Sequence, residues 1–294
     1  VSKAPNPSEL EQPPASRRAR LARSLRFLRR VPGWPRIAGG LVPAAARGSF
    51  VAINDGVVFA GDLASHLDRH VYLFGGYEQE EIALFLSRVA RERRGLVLDV
   101  GANVGVHSLA FAGAFREVHA FEPNPALWDA FERNRALNGF ENVRLHRLGL
   151  ADRDATLTLR LIDKPNLGLG TFSTIEQYDL PLKAAADCRV AAGDAYIEKE
   201  GIGRVDAIKI DVQGFEPEVL RGLRGVLARD RPLVWFELGI ATAAQLATRA
   251  DIERLFPYPV EVLRMSDEGF PRRVLRLRAC PATPPPGDYL ALPT

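Results

Sequence analysis

Sulfur is nearly missing from this sequence: its 294 residues include two cysteines, Cys188 and Cys280, and one methionine. Two thiols build neither a disulfide framework nor a four-cysteine zinc site, so an apolar core must hold the fold. Long apolar runs are also absent. The most apolar stretch, residues 95–115, is interrupted by Asp99, Asn103, His107 and four glycines, which excludes a membrane span there and suits a strand–turn–helix unit. The N-terminus has basic residues but no apolar segment followed by a small-residue cleavage site, so no signal peptide is legible. A cytoplasmic location is expected. Lysine is scarce, 5 against 34 arginines.

What is present is a hydrophobic content of 47% with 26% charged residues. That supports one buried core of about 200–250 residues with extensions, and no wholesale disorder. Charge is unevenly spread. Residues 17–30 (RRARLARSLRFLRR) hold seven arginines and no acid; removing them from the net +3 leaves −4 for the remainder. A mildly acidic body does not suit tracking a nucleic acid backbone, and no nucleic-acid partner is expected. In the basic segment Leu21, Leu25 and Leu28 share one helical face. The segment reads as a solvated or docked extension, or as an amphipathic helix making peripheral contact with an anionic membrane.

The chain divides into a disordered tail (1–16), the basic extension (17–49), a lead-in segment of short strands and a helix (50–94), a main domain (95–280) with an insertion at 155–190, and a flexible C-terminal tail (281–294). In the main domain apolar strands at 96–100, 117–121, 143–148, 205–210 and 233–236 alternate with helical patterns. Such alternation predicts an α/β fold with a mostly parallel sheet covered on both faces. Two closing strands, 260–265 and 274–277, predict an antiparallel edge.

Ligands of such sheets sit beyond the carboxyl ends of the strands. The turn Asp99-Val-Gly101-Ala-Asn103-Val-Gly105 lies at the first strand's end. Its glycines allow close backbone approach, but the spacing is not that of dinucleotide pyrophosphate binding, and no cation lies in it. Glu122 ends the second strand and is placed to accept ribose hydroxyls, with Pro123 and Asn124 turning the chain over the nucleoside and Asp152 approaching the adenine edge. Each acid has a plainer alternative: Asp99 as a loop cap, Glu122 near a helix N-cap, Asp152 in an ordinary turn.

The succession LVLDVGANVG, HAFEPNP, LGLAD, DAIKIDVQGFEPEVLRG and VWFEL, preceded by GGYEQEE, resembles the FkbM-type family of S-adenosylmethionine-dependent methyltransferases across residues 50–265. The resemblance implies a Rossmann-like class I methyltransferase sheet of seven strands, ordered 3-2-1-4-5-7-6 with an antiparallel last strand. It implies S-adenosyl-L-methionine as the ligand of Asp99, Gly101, Asn103, Gly105, Glu122 and Asp152. It also implies methyl transfer to oxygen, on a hydroxyl of a sugar, polysaccharide or secondary metabolite, so a small-molecule or glycan acceptor is expected. Where the family usually has an acid, this chain has Gln213; Glu216 still matches.

An alcohol acceptor must lose a proton, so a nearby base helps. Asp211, ending the fourth strand, is the first candidate; Glu237, ending the fifth, is the second; His107, after the glycine turn, is the third. Asp211 could instead bind cofactor or cap a helix, Glu237 could cap its own helix, and His107 could simply pack. Lys209 reads as a buried ion-pair partner. Asp211 and Glu237 could hold a divalent cation, though nothing requires one, and Asp62, His66 and His70 read as surface residues before a metal face. Thr171 and Ser173 in the loop 166–173 offer hydroxyls to an acceptor. Three rivals stand: an NAD-dependent oxidoreductase, a non-catalytic S-adenosylmethionine-binding module, and an RNA or protein methyltransferase.

Overall fold

The computed structural model describes residues 16–26, 34–43, 46–162, 170–172, 182–268 and 274–294. Its centre is an eight-stranded sheet built from β3 (Leu96–Val100), β4 (Glu117–Phe121), β5 (Val143–His146), β10 (Ala207–Ile210), β11 (Leu233–Leu238), β12 (Val260–Glu268), β13 (Val274–Ala279) and β14 (Gly287–Pro293). The spatial order is β13-β12-β14-β11-β10-β3-β4-β5. Strands β5, β4, β3, β10 and β11 run parallel, whereas β14 is antiparallel to both β11 and β12. With β13 set aside, this is the expected 3-2-1-4-5-7-6 order; β13 adds an eighth, outer strand. β3 and β10 are buried along their whole length, as strands covered on both faces must be.

Helix α5 (Val106–Ala112) follows β3 and α6 (Pro125–Asn138) follows β4. The opposite face carries α7 (Gly193–Lys199), α8 (Glu216–Gly222), α9 (Arg224–Asp230), α10 (Ile240–Gln245) and α11 (Arg249–Glu253). After β10 the chain forms two successive helices, α8 and α9, where the sequence pattern is helical from about 217 to 228. A Cβ on Gly222 would lie 1.8 Å from the Ala151 carbonyl oxygen, so only glycine permits this close packing of α8.

The C-terminal tail expectation is overturned. Residues 287–293 form β14 inside the sheet, and Tyr289, Leu290 and Ala291 are fully buried. The proline run 284–286 dominates the composition there, but it serves only to carry the chain into a strand whose pairing comes from β11 and β12.

The insertion is a second sheet, ordered β6-β9-β7-β8, made of β6 (Gly149–Ala151), β7 (Ala155–Ile162), β8 (Gly170–Thr171) and β9 (Leu182–Ala192). Ahead of the domain, β1 (Ser49–Asn54) and β2 (Val57–Asp62) form a hairpin whose turn residues Asp55 and Gly56 have φ of 48° and 83°, as a two-residue type I′ turn demands. α6 clips this hairpin to the domain: Asn138 bonds both backbone groups of Val58 at 2.7 Å, and Asn134 accepts from the Ala60 N–H at 2.9 Å.

In the basic extension, α1 (Arg17–Ser24) docks through Ala19 and Ala22, not through a leucine face. Leu21 points outward, Leu25 is half-buried, and Leu28 lies outside the described residues. Arg23 stacks on Tyr72, 5.0 Å from its ring centre, and donates to the carbonyls of Tyr72 and Ile53. The tail expected at 1–16 falls outside the described residues except for Ser16, which caps α1.

Candidate active site

The turn after β3 is wound left-handed at Gly101, Asn103 and Gly105, with φ of 86°, 53° and 94°. The Asn103 side chain accepts from the Val104 N–H at 2.8 Å, a local bond that eases this conformation for a non-glycine. The N–H groups of Gly101 and Ala102 both donate to the Phe121 carbonyl at 3.0 Å. A Cβ on Gly101 would lie 1.9 Å from the Asp211 carbonyl oxygen. The turn is therefore wedged between the ends of β4 and β10.

Glu122 leaves β4 and completes this cradle. One carboxyl oxygen accepts from the Asn103 N–H at 2.8 Å and the other from the Asn124 N–H at 2.7 Å. Burial pushes the Glu122 carboxyl up to about 7 against those two donors. Pro123 passes the chain to Asn124, whose side chain caps α6 by accepting from the Ala126 N–H. The structure thus brings Gly101, Asn103, Gly105, Glu122 and Asn124 together at the ends of β3 and β4.

Two expected ligand residues stand elsewhere. Asp99 is fully buried within β3, accepting from the Ser108 hydroxyl at 2.6 Å and lying 3.8 Å from the Lys209 ammonium. It supports the turn from behind, because its position is inside a strand and not in the turn. Asp152 sits on the exposed turn after β6, paired with its neighbour Arg153 at 3.3 Å.

The donor set fits S-adenosylmethionine. Each oxygen of Glu122 keeps lone-pair capacity for a ribose hydroxyl. The turn holds no cation for a phosphate, and the adjoining acids suit a sulfonium charge.

Those acids cluster at the carboxyl ends of β10 and β11. The Asp211 N–H donates to the Val100 carbonyl at 2.9 Å, fixing it beside the turn. Its carboxylate lies 3.3 Å from Lys209 and accepts from the Gln213 amide at 2.7 Å. The same amide nitrogen donates to Glu237 at 2.7 Å, so it bridges the two carboxyl groups. Burial works against a charge on Asp211, but Lys209 and the hydrogen bonds outweigh it and hold its carboxyl down. Burial, reinforced by the neighbouring negative charge of Asp211, pushes Glu237 up, so it keeps its proton. Burial also works to strip Lys209, yet Asp211, Asp99 and Glu78 keep it protonated. Lys209 is the buried ion-pair partner expected. Glu216 holds the following turn by accepting from the N–H groups of Val212 and Gly214 at 3.1 Å and from the Thr242 hydroxyl.

The structure corrects the expectation for His107. It is buried, and burial pulls its imidazole down to about 3. A near-neutral base is thereby lost; the ring instead sits 3.0 Å from a Glu78 carboxyl oxygen and edge-on to Trp235. Sequence reasoning missed three neighbours. Burial lifts Glu78 to about 7 and raises Tyr77, which bonds to it. Asp288 stands opposite Glu237 in register, accepts from the Trp235 indole at 2.8 Å and is also pushed by burial to about 7. Tyr77 and Glu78 lay in the quoted GGYEQEE; Asp288 lay in the supposed tail.

Among the described residues no group of three or more His, Cys, Asp and Glu is placed to hold a metal ion. The Gln213 amide donor occupies the space between Asp211 and Glu237. His66 and His70 do share α3 (His66–Phe74), but His70 Nδ1 bonds the Gly76 carbonyl at 3.0 Å. The Thr171 hydroxyl donates to the Gln213 carbonyl at 2.6 Å, and Ser173 is outside the described residues.

A doubly wound sheet with a glycine turn and a strand-end acid at its carboxyl edge is an arrangement in which α/β proteins bind nucleotides. More narrowly, the chain belongs to the FkbM methyltransferase domain family, whose profile matches residues 99–270. Membership implies S-adenosylmethionine as cofactor. The chain is 29% identical over 147 residues to Methyltransferase 1 of Beauveria bassiana, covering 43% of this chain and 57% of that protein. It is 28% identical over 150 residues to hexuronic acid methyltransferase AglP of Haloferax volcanii, covering 51% and 58%. The chain thus spans less than two thirds of the length of these relatives. A methyltransferase FkbM structure from Methylobacillus flagellatus superposes with a TM-score of 0.42 at 17% identity, over 71% of this chain and 52% of that one. No helix among the described residues is long and apolar enough to cross a membrane.

Proposed function

We propose that this protein transfers a methyl group from S-adenosylmethionine to a hydroxyl oxygen of a sugar, polysaccharide or secondary metabolite. The observation that carries it is the close approach of the glycine turn to the backbone of Asp211, the residue that bears one carboxyl group of the pair. Gly101, Asn103, Gly105 and Glu122 would hold the nucleoside, with Pro123 and Asn124 closing over it. When bound, the cofactor supplies a methyl already activated on a sulfonium. The protein's part is to position the acceptor, exclude water and manage one proton.

Asp211 carries that proton role. Lys209 keeps it ionised, so it orients the acceptor hydroxyl and takes its proton as the oxygen gains the methyl. Glu237, protonated, limits the pair to one negative charge. His107 acts indirectly, by positioning Glu78. The name of AglP, a hexuronic acid methyltransferase, supports a sugar acceptor.

Calorimetric titration with S-adenosylmethionine, S-adenosylhomocysteine and NAD tests the cofactor; binding of NAD alone would favour the oxidoreductase. Labelled S-adenosylmethionine incubated with fractionated extract tests the acceptor. Label in glycan or small-molecule fractions supports the proposal, and label in RNA or protein overturns it. Binding without transfer to any fraction would favour the non-catalytic module.

A partner surface is proposed on α1, whose outward face exposes Arg17, Arg18 and Leu21. Its chemistry suits an anionic membrane. Co-sedimentation with phosphatidylserine vesicles should exceed that with phosphatidylcholine alone.

A further inference from the structure

Gln213 is one of five non-glycine residues with positive φ among the described residues, at 54°. Its conformation is held from both sides. Glu216 accepts from the next N–H, that of Gly214, and the Thr171 hydroxyl donates to its carbonyl. Thr171 belongs to β8 of the inserted sheet and pairs with Arg160 of β7. Its neighbour Phe172 meets Phe215 edge-on, with ring centres 5.6 Å apart. The inserted sheet and the turn after β10 are therefore bound together through Thr171 and Phe172 on one side and Gln213 and Phe215 on the other.

The Gln213 side chain does something no acid could do at that place. Its amide nitrogen offers two protons, and one goes to Asp211 while the other goes to Glu237, each at 2.7 Å. A neutral donor fixes the separation of two carboxyl groups without adding a third negative charge. If its backbone moved out of the left-handed region, the amide would leave both partners.

We propose that Gln213 is a positioning residue: locked by Thr171 of the inserted sheet, its amide sets the geometry of the Asp211–Glu237 pair. This rests on the function proposed above for what the pair does, though not for its existence. The docking of the inserted sheet thereby becomes part of assembling the proton-handling group. Other charged or titratable groups facing the pair are Lys209 on β10, Tyr77 and Glu78 ahead of α4 (Gln79–Arg88), His107 on α5, Glu216 on α8 and Asp288 on β14. All of them are left unchanged by the test.

The test follows the side-chain carboxyl carbons by NMR in protein labelled at Asp and Glu, with Asp211→Asn and Glu237→Gln assigning the two signals. In Gln213→Ala, loss of the donor to the charged form should raise the titration of Asp211 by about one pH unit or more. Thr171→Val should shift it the same way by less, and Thr171→Ser, which keeps the hydroxyl, should restore the wild-type curve. Unmoved carboxyl titrations in Gln213→Ala or in Thr171→Val, with circular dichroism showing folded protein, overturn the proposal. So does a Thr171→Ser curve matching Thr171→Val. Wild-type binding of S-adenosylhomocysteine, measured on the same sample, tests the cofactor assignment separately: its failure sinks the functional reading while leaving the carboxyl titrations to stand or fall alone.

Discussion

The two edges of the central sheet treat their acids in opposite ways. At the amino edge, Asp206 accepts from the N–H groups of Gly95 and Leu96, with Arg93 and Arg204 at 3.9 and 3.6 Å. Asp230 accepts from the Val205 N–H and pairs with Arg229 at 2.6 Å. Each of these acids has backbone donors and its own arginine. At the carboxyl edge, Asp99, Asp211, Glu237, Glu78 and Asp288 gather around Lys209. Acids that serve the fold are neutralised locally, whereas at the carboxyl edge Lys209 holds Asp211 ionised and burial lifts Glu237, Glu78 and Asp288 above the usual carboxylate range.

Gly101→Val should break the second edge most completely. The left-handed conformation costs a branched residue about 1–3 kcal/mol, and the added carbons would enter the Asp211 carbonyl. Calorimetry should show affinity for S-adenosylhomocysteine lower by about a hundredfold or more. Next comes Asp211→Asn, which removes the proton acceptor and keeps the shape. Methyl transfer should fall by roughly 10²–10⁴-fold, while S-adenosylhomocysteine affinity stays close to wild type; equal losses in both would make Asp211 a cofactor ligand only.

A pH series sharpens the contrast further. Burial pushes Glu78, Glu122 and Asp288 up to about 7 in the folded protein, above their ordinary carboxylate values. Between about 4.5 and 7 these three acids hold protons in the folded chain that they lose on unfolding, so their contribution to the stability of the free protein should decline as pH rises through that window. Sulfonium binding favours the ionised forms. The affinity for S-adenosylmethionine relative to its neutral homocysteine product should then rise from pH 6 to 8, by up to about tenfold per unit for each linked proton. A flat ratio would detach these acids from the methyl site. The smallest effect belongs to the first edge: Asp206→Asn should cost about 1–3 kcal/mol in urea melts with methyl transfer unchanged.

Much of this was legible from residue order. Apolar runs broken at Gly101 and at Glu122 marked strand ends, because a strand covered on both faces tolerates few polar residues. Lys209, alone among apolar neighbours in AIKI, had to be buried and paired. His107 misled because pattern reports neither depth nor neighbours: its helical position is compatible with a solvent-facing base, and only packing against Trp235 and Glu78 makes it neutral. Asp288 was hidden for a related reason. A seven-residue alternation after three prolines has little meaning until β11 and β12 supply both of its partners.

Local chemistry in the chain therefore determined the strand–helix alternation, the left-handed turn and the acid at the end of β4, all of which depend on residues close in sequence. Tertiary structure alone decided which acids share a donor. The Asp211–Gln213–Glu237 cluster, with Glu78 and Asp288 beside it, joins five positions spread over 211 residues. Charge and proton affinity there depend on burial and on distances of a few ångströms, and both exist only once the sheet has closed.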